Sequence, residues 1–391
     1  MKISIYQVVP QLSVAFGHAE TVRKNAESIV ISVEYKGIRA IGECAPREYV
    51  TGETLDRVFN TLQIIPYKNI LRSIDQPTLI MAIDAFIKWD LNKLTSSNNA
   101  TCALELLFLD WLGQRFKIPV CEILYKFYFG ASKLKEDLVF KTSQVLDLAI
   151  DVKYFLENRA PFHTVKIKVD GDLEKNIERV SKIRSAIGKD VPIIVDANMS
   201  WTLSEAIRQI NYLKKYDISF FEEPLKKGAF KEYAILKKIT ELKILLDESV
   251  CSADDALVAI RLNACDAFNV RISKCGGIRN ALDIVRIARI NNLQFQIGAQ
   301  VAEVGPLIAA GRHLRSIVDD AITFEAGQPE RWFRDYLVTP MPLVDRSTNL
   351  TGFLLKPGLG VELTRFIKSC SEKMALWNDK SKRFTEEHKI T

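Results

Sequence analysis

Five charged residues recur through the middle of the chain, each closing a short run rich in β-branched residues. Successive members lie 28, 26, 25 and 24 residues apart, which is close to the length of one strand plus one helix. In a closed barrel of parallel strands, the carboxyl ends of the strands converge on one mouth, where active sites lie. The spacing therefore predicts a barrel that gathers these side chains at its mouth: Lys168, Asp196, Glu222, Asp247 and Arg271.

Eight candidate strands support this prediction: LVFKTS, HTVKIKVD, VPIIVDAN, ISFFEEP, LKILLDES, CDAFNVRIS, LQFQIGAQ and AITFEAG. Amphipathic stretches separate most of them, and we predict helices over 173–187, 203–216 and 278–291. Repeated strand–helix units are typical of a parallel sheet, and eight of them suit a closed barrel. The predicted fold class is therefore α/β, with a (β/α)8 barrel over residues 126–349.

The first 125 residues predict a separate α+β unit. Two strand-like runs in 28–44 are broken at Lys36-Gly37, which indicates a hairpin. Helical periodicity runs over 75–116, and its apolar face is predicted to be core: Leu104, Leu107, Phe108, Trp111 and Leu112. The glycine- and proline-punctuated segment at about 350–391 is predicted to return to this unit.

Composition excludes several classes of function. The net charge is +6, and half of the excess lies in 364–391, which we interpret as a solvated helix or frayed end. No basic stripe interleaved with aromatic residues indicates nucleic-acid binding, and no apolar run is long enough to span a membrane. Seven scattered cysteines without a CxxC pair, and a start without a secretory leader pattern, predict reduced thiols and a cytoplasmic location.

The strand-end carboxylates predict a metal site. Asp196, Glu222 and Asp247 offer only oxygen ligands, which suits Mg²⁺ and disfavours zinc and copper. Lys166 and Lys168 share one face of their strand and should both point into the barrel. A metal ion and one lysine could hold the carboxylate of a small-molecule substrate while the other lysine takes its α-proton.

These runs resemble the motifs of the enolase superfamily, muconate-lactonizing subgroup. The matching runs, within residues 3–362, are GECAPREYVTGET, TVKIKVD, DANMSW, FFEEPL, LLDES, DAFNVRISKCGGI and QIGAQVAEVGPL. The resemblance implies a modified (β/α)8 TIM barrel with an enolase-type N-terminal capping domain, formed by residues 1–125 and the returning C-terminal segment. It also implies a homo-oligomer.

The resemblance assigns roles residue by residue. It implies Mg²⁺, with Mn²⁺ as a substitute, on the three carboxylates, Lys168 as the acid/base, and Lys166 on the substrate carboxylate. Glu303 is a further candidate catalytic group. The implied supporting polar residues are Asn198, Glu248 and Lys274, and the implied substrate loops carry Phe16, His18, Tyr49 and Thr51.

One position departs from the family pattern. The sixth-strand motif is usually N-x-K, whereas this chain has Asn269-Val270-Arg271, and a guanidinium is a poor general base. Lys274 is expected on the loop that follows. We therefore favour one-base chemistry, either cycloisomerisation or dehydration of the o-succinylbenzoate-synthase kind. Two alternatives stay open: a dipeptide or N-acyl-amino-acid epimerase, and a metal- or ligand-binding barrel without turnover, in which Arg271 pairs with Asp247 or Glu248.

Overall fold

A computed structural model describes residues 1–18, 21–129, 138–352 and 354–388. The elements before residue 130 are strands β1 to β5, followed by helices α1 to α7. They are β1 Lys2–Val8, β2 Gln11–His18, β3 Thr21–Asn25, β4 Ser28–Tyr35, β5 Ile38–Cys44, α1 Glu48–Thr51, α2 Leu55–Gln63, α3 Tyr67–Ile74, α4 Leu79–Ile87, α5 Leu91–Thr95, α6 Asn98–Phe116 and α7 Val120–Phe129.

Strands and helices then alternate, as the spacing predicted. The elements are β6 Val139–Lys141, β7 Gln144–Leu146, α8 Val152–Arg159, β8 Val165–Lys168, α9 Leu173–Ile187, β9 Ile193–Asp196, α10 Leu203–Leu213, a 3₁₀ turn Lys214–Tyr216, β10 Ile218–Glu222, α11 Phe230–Thr240, β11 Ile244–Leu246, α12 Ala253–Arg261, β12 Ala267–Val270, α13 Ile272–Cys275, α14 Ile278–Ile290, β13 Gln294–Ile297 and α15 Pro306–Ile317.

The C-terminal part contains short elements and a final hairpin. They are a 3₁₀ turn Pro329–Arg331, β14 Val338–Thr339, β15 Leu350–Gly352, β16 Glu362–Leu363, α16 Phe366–Ser369, β17 Ser371–Asn378 and β18 Arg383–His388.

The parallel sheet has the strand order β13-β12-β11-β10-β9-β8-β7. An extended segment at 323–325 closes it into a ring between the two edge strands. On one side Glu325 N donates to Ile297 O at 3.0 Å, and on the other Ser143 N donates to Phe324 O at 2.9 Å. The predicted (β/α)8 barrel is thus confirmed, with this segment in the eighth position.

One predicted barrel strand is wrong. The run LVFKTS contains β6, but β6 pairs antiparallel with β15, and the strand that enters the barrel is the next run, β7. Both runs are short and partly apolar, and periodicity alone cannot tell which of two adjacent short runs joins a buried sheet.

The predicted helices are largely confirmed. Helix α9 matches its predicted range, whereas the range 203–216 ends in a 3₁₀ turn and 278–291 is one residue too long. The periodic stretch 75–116 forms three helices, because the side chains of Thr78, Asp90 and Ser97 each cap a new helix N-terminus. The five predicted core residues of α6 are all buried.

The N-terminal sheet is antiparallel and includes both chain ends, in the order β18-β17-β1-β4-β5. The predicted hairpin is present, with Lys36 and Gly37 at φ 51° and 76°. The solvated helix or frayed end predicted for 364–391 is wrong where the chain is described, because β17 pairs with β1 and β18 with β17. The many charges obscured the alternation that buries Ala375 and brings the Trp377 ring 5.3 Å from that of Phe384.

All seven cysteines are free thiols. Among the described residues, no helix combines the length and the apolar character that crossing a lipid bilayer requires.

The contact between β5 and α6 predicts a strongly destabilising substitution. A Cβ on Gly42 would lie 2.1 Å from Ala103 O and 2.9 Å from Leu107 N, which are backbone atoms of α6. Gly42→Ala must therefore push the helix off the sheet, at a cost of about 3 kcal/mol in the free energy of unfolding. Gly171→Ala, which meets nothing within 4 Å, is the matched control. Urea denaturation measures both variants, and equal stability for the two would contradict this packing.

Candidate active site

The mouth of the barrel brings the predicted strand-end residues together. Lys168, Asp196 and Glu222 end three neighbouring strands, and their Cα atoms pair in register across β8, β9 and β10. Asp247 follows β11 directly, and Arg271 follows β12 directly. All five side chains are buried, so none of their charges is solvated as it would be on the surface.

Lys166 is held between two carboxylates. Its Nζ lies 2.7 Å from Glu222 Oε2 and 2.5 Å from Glu325 Oε1. Burial alone would lower the pKa of Lys166, but the adjacent Glu222 and Glu325 raise it above its ordinary value. Lys166 is therefore a fixed positive charge.

Lys168 points to the same side of β8, as the alternation predicted. Its Nζ lies 2.9 Å from Asp196 Oδ2 and also donates to Asn198 Oδ1. Asn198 N donates to Asp196 Oδ1 at 3.0 Å, and Asn198 Nδ2 donates to Glu248 Oε1 at 3.3 Å. Burial opposes ionisation of Asp196, but Lys168 and then Lys166 lower its pKa below the ordinary value. The amide of Asn198 thus links Lys168 and Asp196 to Glu248.

Asp247 lies between two cations. Arg271 pairs with Asp247 Oδ2, lies 3.5 Å from Glu248 Oε1 and donates to Gln300 Oε1 at 2.9 Å. Lys274 Nζ lies 2.8 Å from Asp247 Oδ1. The expectation that Lys274 lies on a loop is wrong, because it sits fully buried in the short helix α13. A charge so buried requires a partner, and Asp247 supplies it.

Oppositely charged side chains are paired at the mouth, where Glu248 also lies 3.5 Å from Arg271. Each of four carboxylates, three of them buried and that of Glu325 partly buried, contacts at least one of four cations among the described residues. The carboxylates are those of Asp196, Glu222, Asp247 and Glu325, and the cations are Lys166, Lys168, Arg271 and Lys274. Breaking any one pair would leave an uncompensated buried charge, which is strongly destabilising.

The chemistry of the acidic side chains fits a hard cation. Asp196, Glu222 and Asp247 offer only oxygen, and Glu248 Oε2 is buried without a hydrogen-bond partner in the described structure. Within the described ranges, however, no three His, Cys, Asp or Glu side chains already form a metal-binding group. Lysine and arginine contact these carboxylates instead, so a metal ion would have to compete with cations of the protein.

The other predicted residues fall on different parts of the site. Tyr49 lines the cavity together with Lys166, Lys168 and Arg271. Glu303 is buried away from the cavity wall and accepts a hydrogen bond from Gln300 N at 2.8 Å. Thr51 accepts a hydrogen bond from Asn99 Nδ2 at 3.0 Å, and it does not line the cavity. The side chains of Phe16 and His18 lie outside the described part of the chain.

Several site residues were missed from the sequence. Glu325 ends the eighth candidate strand, so extending the strand-end rule by one unit would have found it. Glu223, next to Glu222, accepts from Asp247 N at 2.6 Å, and burial raises its pKa to about 7. Arg159 and Arg331 also line the cavity, but nothing in their sequence surroundings marks them.

Comparison with known proteins agrees with this architecture. A family model described as "Enolase C-terminal domain-like" matches residues 148–367. The D-Ala-D/L-Ala epimerase of Cytophaga hutchinsonii is 27% identical, with 76% of this chain and 78% of that protein covered. The o-succinylbenzoate synthase of Bacillus subtilis is 26% identical over 375 residues, with 94% of this chain and 95% of that protein covered.

A solved structure shares the fold. The dipeptide epimerase of Enterococcus faecalis, complexed with Mg and the dipeptide L-Leu-L-Tyr, superposes with a TM-score of 0.77 at 24% identity. The alignment covers 92% of this chain and 99% of that one. Epimerases are isomerases, and the predicted class of lyase or isomerase agrees with these relatives. Because the family model spans more than half of the sequence, the chain belongs to the enolase C-terminal domain-like family, within the superfamily that its motifs predicted.

Proposed function

We propose that the protein is a Mg²⁺-dependent lyase or isomerase that works on the α-proton of a small carboxylate substrate. The observation that carries the proposal is the placement of Lys166 and Lys168 side by side on the cavity wall, directly against Glu222 and Asp196. A reaction that builds negative charge on a carboxylate needs positive groups fixed in advance around it. This mouth has them.

Asp196, Glu222 and Asp247 are the residues that would hold Mg²⁺, with Mn²⁺ as a substitute. The bound ion would stabilise the negative charge that develops on the substrate carboxylate as the proton leaves. The likeness to a structure that contains Mg supports this choice of metal. Asn198 and Glu248 support the ligands through the hydrogen bonds described above.

In this proposal, three side chains of the protein bind the substrate, transfer the proton and supply a fixed positive charge. Lys166, which its neighbours keep protonated, orients the substrate carboxylate. Lys168 exchanges the proton: its neutral Nζ takes the α-proton, and its ammonium form gives a proton to the leaving hydroxide or to the enolate carbon. Arg271 stays protonated on the other side as a fixed cation. A dehydration then releases water, and a cycloisomerisation forms or opens a ring.

A second candidate is an epimerase of dipeptides or N-acyl amino acids, which the printed names of the epimerase relatives favour. It needs a second base on the opposite face of the substrate. Arg271 occupies the expected position but does not readily release a proton, so we place this function second. The homo-oligomer implied by the family stays a prediction.

Removing Lys168 should abolish proton exchange. We expect Lys168→Ala, assayed with Mg²⁺ in D₂O against a pool of muconates, dipeptides, N-acyl amino acids and sugar acids, to lose at least about 10³-fold in rate. Mass spectrometry of the pool measures deuterium uptake and new products.

Lys175→Ala is the matched control, because Lys175 is an exposed lysine that pairs with Asp172 on the surface. Full activity in Lys168→Ala would contradict the assignment. No exchange in the parent protein, with Mg²⁺ bound, would contradict the proposed enzyme and favour a barrel without turnover.

Arg271 should weaken metal binding. Its guanidinium contacts Asp247, so it competes with any cation for that carboxylate. We expect Arg271→Gln to bind Mg²⁺ about tenfold more tightly, a change of about 1.4 kcal/mol, as measured by titration calorimetry. Arg286→Gln, on the outside of the barrel, should leave the affinity unchanged. Equal affinities in the parent and Arg271→Gln would show that the metal does not bind at Asp247.

A further inference from the structure

Two arginines line the same cavity as the lysine pair, but their ionic neighbours are different. Arg159 is the last residue of α8, and Arg331 ends the 3₁₀ turn that follows the eighth barrel segment. Both line the cavity that also contains Lys166 and Lys168. The cavity therefore has two positively charged regions, of which the proposed chemistry uses only one.

Within the described part of the chain, no carboxylate oxygen lies closer than 4.0 Å to the guanidinium nitrogens of Arg159 or Arg331. Arg331 is only 8% exposed, and its Nε has no hydrogen-bond partner among the described residues. Its nearest carboxylate oxygen in an ion pair is Glu330 Oε1, 4.0 Å from Nε, and its best side-chain hydrogen bond is 3.4 Å long, to Asn349 Oδ1. A buried guanidinium without close partners is costly, so a ligand anion there would be stabilising.

The charges around these two arginines also favour an anionic ligand. Burial, and then the like charge of Arg159, lower the pKa of Arg331 to about 9. Burial also lowers the pKa of Arg159, and Arg346 contributes in the same direction. Three guanidinium groups thus lie near Glu330, with Asp147 as a further carboxylate near Arg159, and an anion placed against them would relieve their mutual repulsion.

We infer that Arg159 and Arg331 bind a second carboxylate of the substrate, so that the protein acts on a dicarboxylate. This inference rests on the proposed function, which places the reacting carboxylate at Lys166. The planar guanidinium groups suit a carboxylate because each can donate two parallel hydrogen bonds.

The cavity lining also supplies surface that could contact a carbon linker. Val145 and Ile150 supply apolar surface there, and Trp332 and Tyr49 add aromatic faces. A substrate with an ammonium group at this end, such as a dipeptide, would face guanidinium charges of the same sign. The arrangement therefore selects against a cationic end as well as for an anionic one.

Binding of simple probes tests this inference without turnover. Titration calorimetry would compare the dicarboxylates from glutarate to suberate with monocarboxylates of equal chain length, using the Mg²⁺-loaded full chain. We expect at least one dicarboxylate to bind at least tenfold more tightly than its matched monocarboxylate. Arg159→Gln and Arg331→Gln should each reduce that preference by about tenfold or more, whereas Arg286→Met, which removes an exposed arginine of the outer helix, should keep it.

Arg159 is only partly buried, so Arg159→Gln tests the inference even if Arg331→Gln does not fold. No preference at any chain length, or a preference that survives Arg159→Gln, would overturn it. Because the assay measures binding, it separates the two proposals. Dicarboxylate preference without proton exchange in D₂O would contradict only the proposed reaction, and exchange with equal affinity for monocarboxylates would contradict only the second carboxylate site.

Discussion

Charge compensation among buried side chains is the constraint on which the barrel mouth depends. Strand ends that carry Asp196, Glu222 and Asp247 into a water-poor interior require nearby cations, and Lys166, Lys168, Arg271 and Lys274 supply them. These ion pairs offset the free-energy cost of burying the charges. They also fix the positive charges in advance, which is the condition for stabilising a developing carbanion. Stability and the proposed chemistry thus rest on one network.

The N-terminal unit contributes hydrogen bonds and a side chain to the barrel mouth. Glu43, at the end of β5, accepts hydrogen bonds from Val304 N, Gly305 N and Leu307 N at 2.8 to 3.1 Å. These bonds hold the start of α15 and the loop that carries Gln300, the partner of Arg271. Tyr49 reaches the cavity from the same unit. A barrel alone would therefore leave this side of the site unsupported.

The sequence predicted the fold and much of the site because strand-end spacing and β alternation are local rules. Those rules placed Lys166, Lys168 and the acidic strand ends correctly at the mouth. They could not place Arg159 or Arg331, since a cavity wall built by a helix end and a 3₁₀ turn depends on tertiary packing. Lys274 was misplaced for a related reason: the helix that buries it is four residues long and is stabilised by Asp247, which is distant in sequence. The C-terminal hairpin was not predicted, because its many charged residues obscured the alternation of buried and exposed positions.

In the proposed chemistry, Lys168 alone moves the proton while Arg271 stays charged. The most direct test follows each enantiomer of a chiral N-acyl amino acid dicarboxylate in D₂O with Mg²⁺, by NMR and chiral chromatography. If Lys168 works alone, deuterium enters the α-position of one enantiomer only, with retention of configuration. Deuterated product of the opposite configuration, formed from either enantiomer, would mean that a second base works across the substrate, and would refute the single-base role of Lys168.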